Sequence, residues 1–304
     1  MKLPLFNSRF AATLLTLFLS LPAMGGDEKV VVLASIHPLA MIVDAVAGDM
    51  VEVQTLLPAN ISPHTYRMNF SDRQKIADAD LVLWVGPEME AVLRKSLLAR
   101  DQSAVIQSGE IDGIHWPGTD IKPADEHGHG HERDPHLWLN PDNALLIAQQ
   151  VERWLVKRFP DKEKPLADNL RRFNAEVEKF IQHSRQQTHE IQGIGFIVLH
   201  DAYQQLVEFY QLKQRGVIRL SSGAEKGLKH RAELLRDKGQ IRCVFSEPQF
   251  PDSQVNQLAQ SLNAQVAELD PMGRQFAVRI ESGEYSYLLF MQAIIDSLTG
   301  CLKD

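Results

Sequence analysis

The feature that most constrains the fold is a long helical pattern in the middle of the chain, at residues 162–191. Its apolar side chains recur in steps of four, three, four, three and one residues, at Leu166, Leu170, Phe173, Val177, Phe180 and Ile181. This spacing places them on one face of an α-helix whose other faces are polar. A helix of about 28 residues spans ~42 Å, which is longer than one small lobe requires. We therefore predict a rigid helix that joins two lobes.

On both sides of this helix, short apolar runs alternate with helical patterns, as is typical of α/β folds with parallel sheets. The first half has predicted strands at 29–35, 51–57, 80–86 and 103–108, with helices that include 38–47, 88–98 and 142–159. The second half has predicted strands at 195–200, 241–247 and 265–270, with helices near 202–209, 226–238, 252–262 and 286–302.

The chain has 304 residues, enough for two domains that each have a core. We predict an α/β fold of two lobes, each with a mostly parallel sheet flanked by helices. The predicted boundaries are an N-terminal lobe at 26–161, a linking helix at 162–192 and a C-terminal lobe at 193–304.

The first residues have the features of an export signal. Lys2 and Arg9 precede an apolar run at 10–21, and the small residues Ala23 and Gly25 follow it. The run is too short to span a bilayer comfortably, and the alternative is an amphipathic or buried N-terminal helix. We expect residues 1–25 to be a signal peptide and the mature protein to act outside the cytoplasm. The net charge of −7 argues against a nucleic-acid partner.

The chain has two cysteines, Cys243 and Cys301, so a single intramolecular pairing is available. An exported protein folds in an oxidising compartment, where such a pair forms a disulfide. We predict this disulfide; the alternative is two buried free thiols.

Three histidines stand where strands or loops should end: His64, His136 and His200. In open α/β sheets, ligands bind beyond the carboxyl ends of the strands, so two histidines from the first lobe and one from the second suit a cleft between lobes. Three neutral imidazoles form a zinc site with a fourth position open. Each histidine taken singly is more consistent with a structural role, so the zinc site is indicated by the three together. A zinc hydrolase is the alternative function, although the chain lacks an H-E-x-x-H pair.

A series of segments carries a family resemblance: SIHPLA, SPHTY, ADLVLWVGPEMEAVL, HLWLNP, LHDAYQQL, CVFSEPQF, ELDPMG and SYLLFMQAIIDSLTGCLK. They run in order across nearly the whole mature chain. Through them the chain resembles the metal-binding receptors of cluster A-I ABC importers, and among those the zinc-uptake members. The resemblance implies a monomeric periplasmic receptor, not an enzyme, that carries its metal in the interlobe cleft and delivers it to an ABC permease in the membrane.

The resemblance also implies a set of metal ligands. The family's three histidine ligands fall on His64, His136 and His200, and the carboxylate of manganese-binding relatives aligns with Asp270, a candidate fourth ligand. Manganese receptors of the family usually have a glutamate where this chain has His200, and imidazole favours Zn²⁺ over Mn²⁺. A Mn²⁺ receptor of the same family remains the alternative. Pro63 stands where some zinc members have a ligating glutamate.

Residues 109–133 interrupt the alternation with glycines, prolines and the sequence HGHGH, which predicts a flexible surface loop. His127, His129 and His131 are spaced by glycines that let imidazoles converge on one ion, and the family resemblance supports an accessory zinc-collecting role. The alternative is a soluble spacer.

Near the main site, we expect Glu247 to brace the lobes as an acceptor, and Asp201 is a candidate partner for the second ring nitrogen of His200.

Overall fold

The computed structural model describes residues 29–118, 133–220, 227–279 and 284–303. The first lobe contains strands β1 (Val31–Ala34), β2 (Glu52–Thr55), β3 (Leu81–Trp84) and β4 (Val105–Gln107). Its helices are α1 (His37–Ala47), α2 (Phe70–Asp78), α3 (Arg94–Leu98) and α4 (Pro141–Arg158). The predicted signal peptide lies outside the described residues.

Helix α5 (Glu163–His189) connects the lobes, and the second lobe repeats the alternation. Its strands are β5 (Gly195–His200), β6 (Lys213–Arg219), β7 (Ile241–Ser246) and β8 (Gln265–Glu268). Its helices are α6 (Gln204–Tyr210), α7 (Leu228–Leu234), α8 (Ser253–Leu262) and α9 (Ser286–Lys303).

Both sheets are parallel and have the same topology. The strand orders are β2-β1-β3-β4 and β6-β5-β7-β8, so the first strand of each lobe has neighbours on both sides. Strands β3 and β5 are buried along their whole length, which explains their uninterrupted apolar sequences. In each sheet the second strand is added on one side of the first strand and the third strand on its other side, so the strand order changes direction between the two central strands. Ligands of α/β proteins bind beyond the carboxyl ends of the strands at such a point. The predicted fold class is confirmed.

Helix α5 has 27 residues, and its predicted apolar stripe is its buried face. Leu166, Phe173 and Val177 are fully buried, and the helix packs against α1, α4 and α9. Because these contacts run along most of its length, the helix is supported as a rigid element between the lobes.

Two parts of the secondary-structure prediction need correction. Strand β6 was not predicted, because Lys213–Arg219 is mostly polar and lies at the edge of its sheet. The predicted helix at 88–98 is a turn and a short 3-10 segment followed by α3, which begins only at Arg94. In this turn the Gly86 carbonyl accepts from the amides of Met89 and Glu90, and the Gly86 amide donates to the Glu90 carboxyl group.

Cys243 and Cys301 form the disulfide that the cysteine count predicts. Cys243 lies in the central strand β7, and Cys301 lies in the last helix, α9. Helix α9 also packs against α1 and α5, so the C-terminal helix contacts both lobes. The disulfide therefore attaches an element shared by the two lobes to the core of the second sheet.

None of the helices in the described residues is long and apolar enough to cross a membrane.

A buried carboxyl group lies under the carboxyl ends of β1 and β3. Glu90 has no solvent exposure, and its oxygens accept hydrogen bonds from the Ser35 hydroxyl at 2.5 Å and the Gly86 amide at 3.2 Å. Burial raises the pKa of Glu90 from 4.5 to about 7, and these hydrogen bonds offset only part of that rise.

We expect Glu90→Gln to stabilise the protein at pH 8 and to have little effect below pH 4.5. Because its pKa is raised on folding, the native state binds the Glu90 proton more tightly, and stability falls as pH rises from 4.5 to 7. The difference between these pKa values corresponds to ~3 kcal/mol. Denaturant unfolding of the metal-free wild-type and Glu90→Gln proteins at pH 4.5 and pH 8 measures this difference in the free energy of unfolding. Exposed Glu88 in the same turn is the control, and an equal response of Glu88→Gln would contradict the prediction.

Candidate metal centre

Three separate elements deliver His64, His136 and His200 to one place. His64 lies in the 3-10 turn Pro63–Thr65, in the loop between β2 and α2. His136 immediately precedes the 3-10 turn Leu137–Leu139, which leads into α4. His200 is the last residue of β5. The three predicted residues thus meet between the lobes, two from the first and one from the second.

The imidazoles are close enough to share an ion. One ligand atom from each histidine lies within 4.8 Å of the other two. The ring centroids are 5.4 Å apart for His64 and His136, 5.4 Å for His64 and His200, and 5.1 Å for His136 and His200. Among the described residues this is the only group of three or more His, Cys, Asp or Glu side chains that meets so closely. Three imidazoles around one point are a ligand set for a tetrahedral divalent ion with one open position.

His64 is held in the state that a metal needs. Burial lowers the pKa of His64 well below 6.5, and electrostatic repulsion from the His136 and His200 rings lowers it further. Its Nε2 atom is buried and has no hydrogen-bond partner in the described part of the chain. A neutral imidazole with a buried, unpartnered nitrogen loses nothing when that nitrogen binds an ion.

A carboxylate that the sequence analysis missed orients His136. The Oδ1 atom of Asp134 accepts hydrogen bonds from Nδ1 of His136 at 2.6 Å and from its backbone amide at 3.0 Å. Both side chains are almost completely buried. A proton fixed on Nδ1 leaves the lone pair of Nε2 for a metal. The signal was available in the sequence, since an acid two residues before a candidate histidine can fold back onto its ring.

Glu247 has the corresponding position beside His200. Its Oε2 atom lies 3.3 Å from Nδ1 of His200, and it directly follows β7, the strand that neighbours β5. The pair therefore lies at the carboxyl ends of β5 and β7, where the strand order of the second sheet changes direction. Glu247 acts as an acceptor, as expected, but its partner is this ring nitrogen. Asp201, the candidate suggested by sequence adjacency, accepts hydrogen bonds from the side chains of Gln204 and Gln214.

Asp270 is held outside the histidine group. Its Oδ1 atom accepts from Gln249 Nε2 at 2.8 Å and from the amide of Met272 at 3.0 Å, and its Oδ2 atom accepts from the amide of Arg274 at 2.7 Å. Gln249 also donates to the carbonyl of Ala59, in the loop that carries His64. In this structure Asp270 therefore braces a turn against the first lobe, and its role as a fourth ligand stays a prediction.

The predicted loop at 109–133 is described only at its ends. Nε2 of His115 lies 2.8 Å from Glu208 of α6, and the amide of Gly118 donates to the same carboxylate at 2.8 Å. At the other end, the Arg133 guanidinium lies 5.6 Å from the ring centroid of Trp116. The entrance to the loop is thus anchored on the second lobe. His127, His129 and His131 lie outside the described residues.

Comparison with known proteins places the chain in a family. The family model for ZnuA, described as zinc-uptake complex component A, periplasmic, matches residues 32–301. The high-affinity zinc uptake system protein ZnuA of Haemophilus influenzae is 30% identical over 93% of this chain and 95% of its own length. The protein of the same name from Haemophilus ducreyi is 31% identical over 96% and 99% of the two chains.

Solved structures share the fold. A crystal structure of ZnuA superposes with a TM-score of 0.73 at 23% identity, covering 90% of this chain and 99% of the other. The periplasmic zinc binding protein TroA of Treponema pallidum gives a TM-score of 0.75 at 20% identity, covering 90% and 99% of the two chains. At these identities the likeness supports the two-lobe architecture alone.

Proposed function

The chain belongs to the ZnuA family of zinc-uptake components, and from that premise we infer that it is a periplasmic receptor that binds Zn²⁺ and delivers it to the permease of an ABC-type importer. The observation that carries this function is the group of three imidazoles from His64, His136 and His200, which are brought together between the lobes. We propose these three side chains as the ligands.

The ligand chemistry favours zinc over manganese. Imidazole nitrogen suits Zn²⁺, whereas Mn²⁺ prefers carboxylate and other oxygen ligands. Around this site, the nearby carboxylates Asp134 and Glu247 are engaged with the second nitrogens of two of the histidines. They supply orientation and negative charge to an all-nitrogen ligand set.

The arrangement suits capture followed by release. The ligands already lie close together in the structure, so little new order has to form when the ion binds. His64 and His136 belong to the first lobe and His200 to the second. Moving the lobes apart would therefore reduce the number of ligands around the ion, which is the change that a permease needs for transfer.

The remaining organisation follows the family role. We propose that the mature receptor begins after the signal peptide at 1–25 and that its lobes are bounded at 26–161 and 193–304, with 162–192 as the link. We propose a monomer that has a permease, and not a nucleic acid, as its macromolecular partner. The negative net charge is consistent with this partner choice. A solute receptor of this kind is not an enzyme.

Titration of the chelator-treated protein with Zn²⁺ and with Mn²⁺ tests the function. We expect one tight Zn²⁺ equivalent with much weaker Mn²⁺ binding.

A parallel titration of protein lacking residues 127–131 separates the contribution of the loop from that of the three-histidine site. Because flexible ligands must lose more conformational freedom, we expect the deletion to keep the tight equivalent and to remove at most one weaker one. Preference for Mn²⁺ contradicts the proposed cargo, and loss of the tight phase on deletion would move the primary site into the loop.

A further inference from the structure

We propose that Asp134 is a positioning residue that couples the orientation of His136 to the placement of helix α6. The metal site thereby becomes sensitive to the relative position of the two lobes. The inference rests on the proposed zinc site and concerns how that site is assembled and released. Asp134 lies in the first lobe beside His136, and α6 begins four residues after His200 in the second lobe.

The two oxygens of one carboxylate bind the two lobes. Oδ1 accepts from the ring and the backbone amide of His136, at 2.6 Å and 3.0 Å. Oδ2 accepts from the backbone amides of Gln204 and Gln205, at 2.9 Å and 3.4 Å. Asp134 is only 4% exposed, so water cannot readily replace either set of donors.

Helix α6 has further contacts with the first lobe that do not involve Asp134. The side chain of Gln205 donates to the carbonyl of His115 at 3.1 Å and accepts from Asn140 Nδ2 at 3.3 Å. Glu208 accepts from the amide of Gly118. These polar contacts keep α6 docked when Asp134 is altered. A substitution of Asp134 therefore breaks the link between His136 and α6 without separating the lobes.

The geometry has a direct consequence for release. If the lobes move apart, Asp134 must give up either the amides of α6 or the ring of His136. In the first case a buried carboxylate loses half of its donors, and in the second His136 loses the partner that orients it toward the ion. Loss of the His136 contact weakens the site beyond the displacement of His200 itself, whereas loss of the α6 amides adds to the free energy of lobe separation. One carboxylate thus makes the affinity fall more steeply as the lobes separate.

The substitutions Asp134→Asn and Asp134→Glu distinguish this role from a simple structural one. Asparagine has one acceptor atom, so it must place an NH₂ group either against the His136 nitrogen or against the α6 amides. Glutamate keeps two acceptor oxygens and should restore part of the function. Asp201→Asn is the matched control, because that carboxylate neighbours His200 but binds only glutamine side chains in the described residues.

We would measure Zn²⁺ affinity by competition with a chelator, the visible spectrum of the Co²⁺-loaded protein, and amide hydrogen exchange at Gln204 and Gln205 with and without Zn²⁺. For Asp134→Asn we expect roughly 10- to 100-fold weaker Zn²⁺ binding, a changed Co²⁺ spectrum, and loss of the Zn²⁺-dependent protection of these amides. Asp134→Glu should recover part of the affinity, and Asp201→Asn should match the wild type.

The remaining outcomes overturn the proposal. Unchanged affinity with faster exchange in both states would make Asp134 a helix cap only. Weaker binding with unaltered protection of α6 would make it a partner of His136 only. Wild-type protein that binds no Zn²⁺ would overturn the proposed function together with this inference, whereas tight wild-type binding that Asp134→Asn leaves unchanged overturns this inference alone.

Discussion

Replacing His64, His136 or His200 singly by alanine is expected to weaken Zn²⁺ binding at least tenfold. Each substitution removes one of the three imidazoles whose ligand atoms lie within 4.8 Å of one another. Water can fill the vacated position, but it is a poorer ligand than a preoriented imidazole and must itself be immobilised. Competition titration with a chromophoric chelator measures the loss.

The stability of the metal-free variants adds a second test of the same site. His64→Ala removes a ring whose Nε2 has no partner in the described residues, so its stability should change little. His136→Ala and His200→Ala remove the rings beside the buried carboxylates Asp134 and Glu247 and should destabilise the protein by about 1–3 kcal/mol.

His183 on α5 is exposed and supplies the control, His183→Ala. It should leave both affinity and stability unchanged. A variant of His64, His136 or His200 with wild-type affinity would remove that residue from the site.

Loss of the Cys243–Cys301 disulfide is expected to lower the free energy of unfolding by ~4 kcal/mol. The two cysteines are 58 positions apart, and in the chain-entropy model a crosslink that closes a loop of this length restricts the unfolded chain by about that amount. The bond joins β7 to α9, which packs against both lobes, so its loss should weaken the docking of α9.

Denaturant unfolding of oxidised and reduced wild-type protein measures this contribution. The double substitution Cys243→Ala and Cys301→Ala should match the reduced protein apart from a small loss of packing, which separates the crosslink from any effect of the reductant. Protein recovered from the periplasm should contain no titratable thiol when denatured. Two free thiols in that material, or equal stability of the oxidised and reduced forms, would contradict the prediction.

Much of the fold could be predicted because the relevant patterns are local. The apolar stripe of α5 repeats within a single helix, and β5 has an unbroken apolar run that ends at His200. By contrast, Lys213–Arg219 was not recognised as β6, because a polar edge strand is specified by its pairing with β5 more than by its own pattern. The helix predicted at 88–98 begins only at Arg94, because the preceding residues form a turn in which the Gly86 amide donates to the Glu90 carboxyl group, a contact that a periodicity argument does not contain.

The residues of the candidate site also divide into those that local sequence could indicate and those that it could not. His64, His136 and His200 were selected because each follows or ends an element whose type could be read locally, and the family segments support the same three residues. The partners of these histidines could not be chosen with equal certainty. Sequence adjacency suggested Asp201 for His200, whereas folding brings Glu247 to that ring from 47 positions away.

Local sequence patterns predicted the α/β class, the two lobes on one long helix and the single cysteine pairing, and they singled out the three histidines that the structure brings together. Tertiary structure alone decided that the carboxylate of Asp134 bonds to both lobes and that Asp270 braces a turn. The physical reason is the range of the interactions. Periodicity and turn chemistry act over a few residues, so the sequence displays them, whereas a buried carboxylate takes whichever donors the packed lobes bring within about 3 Å.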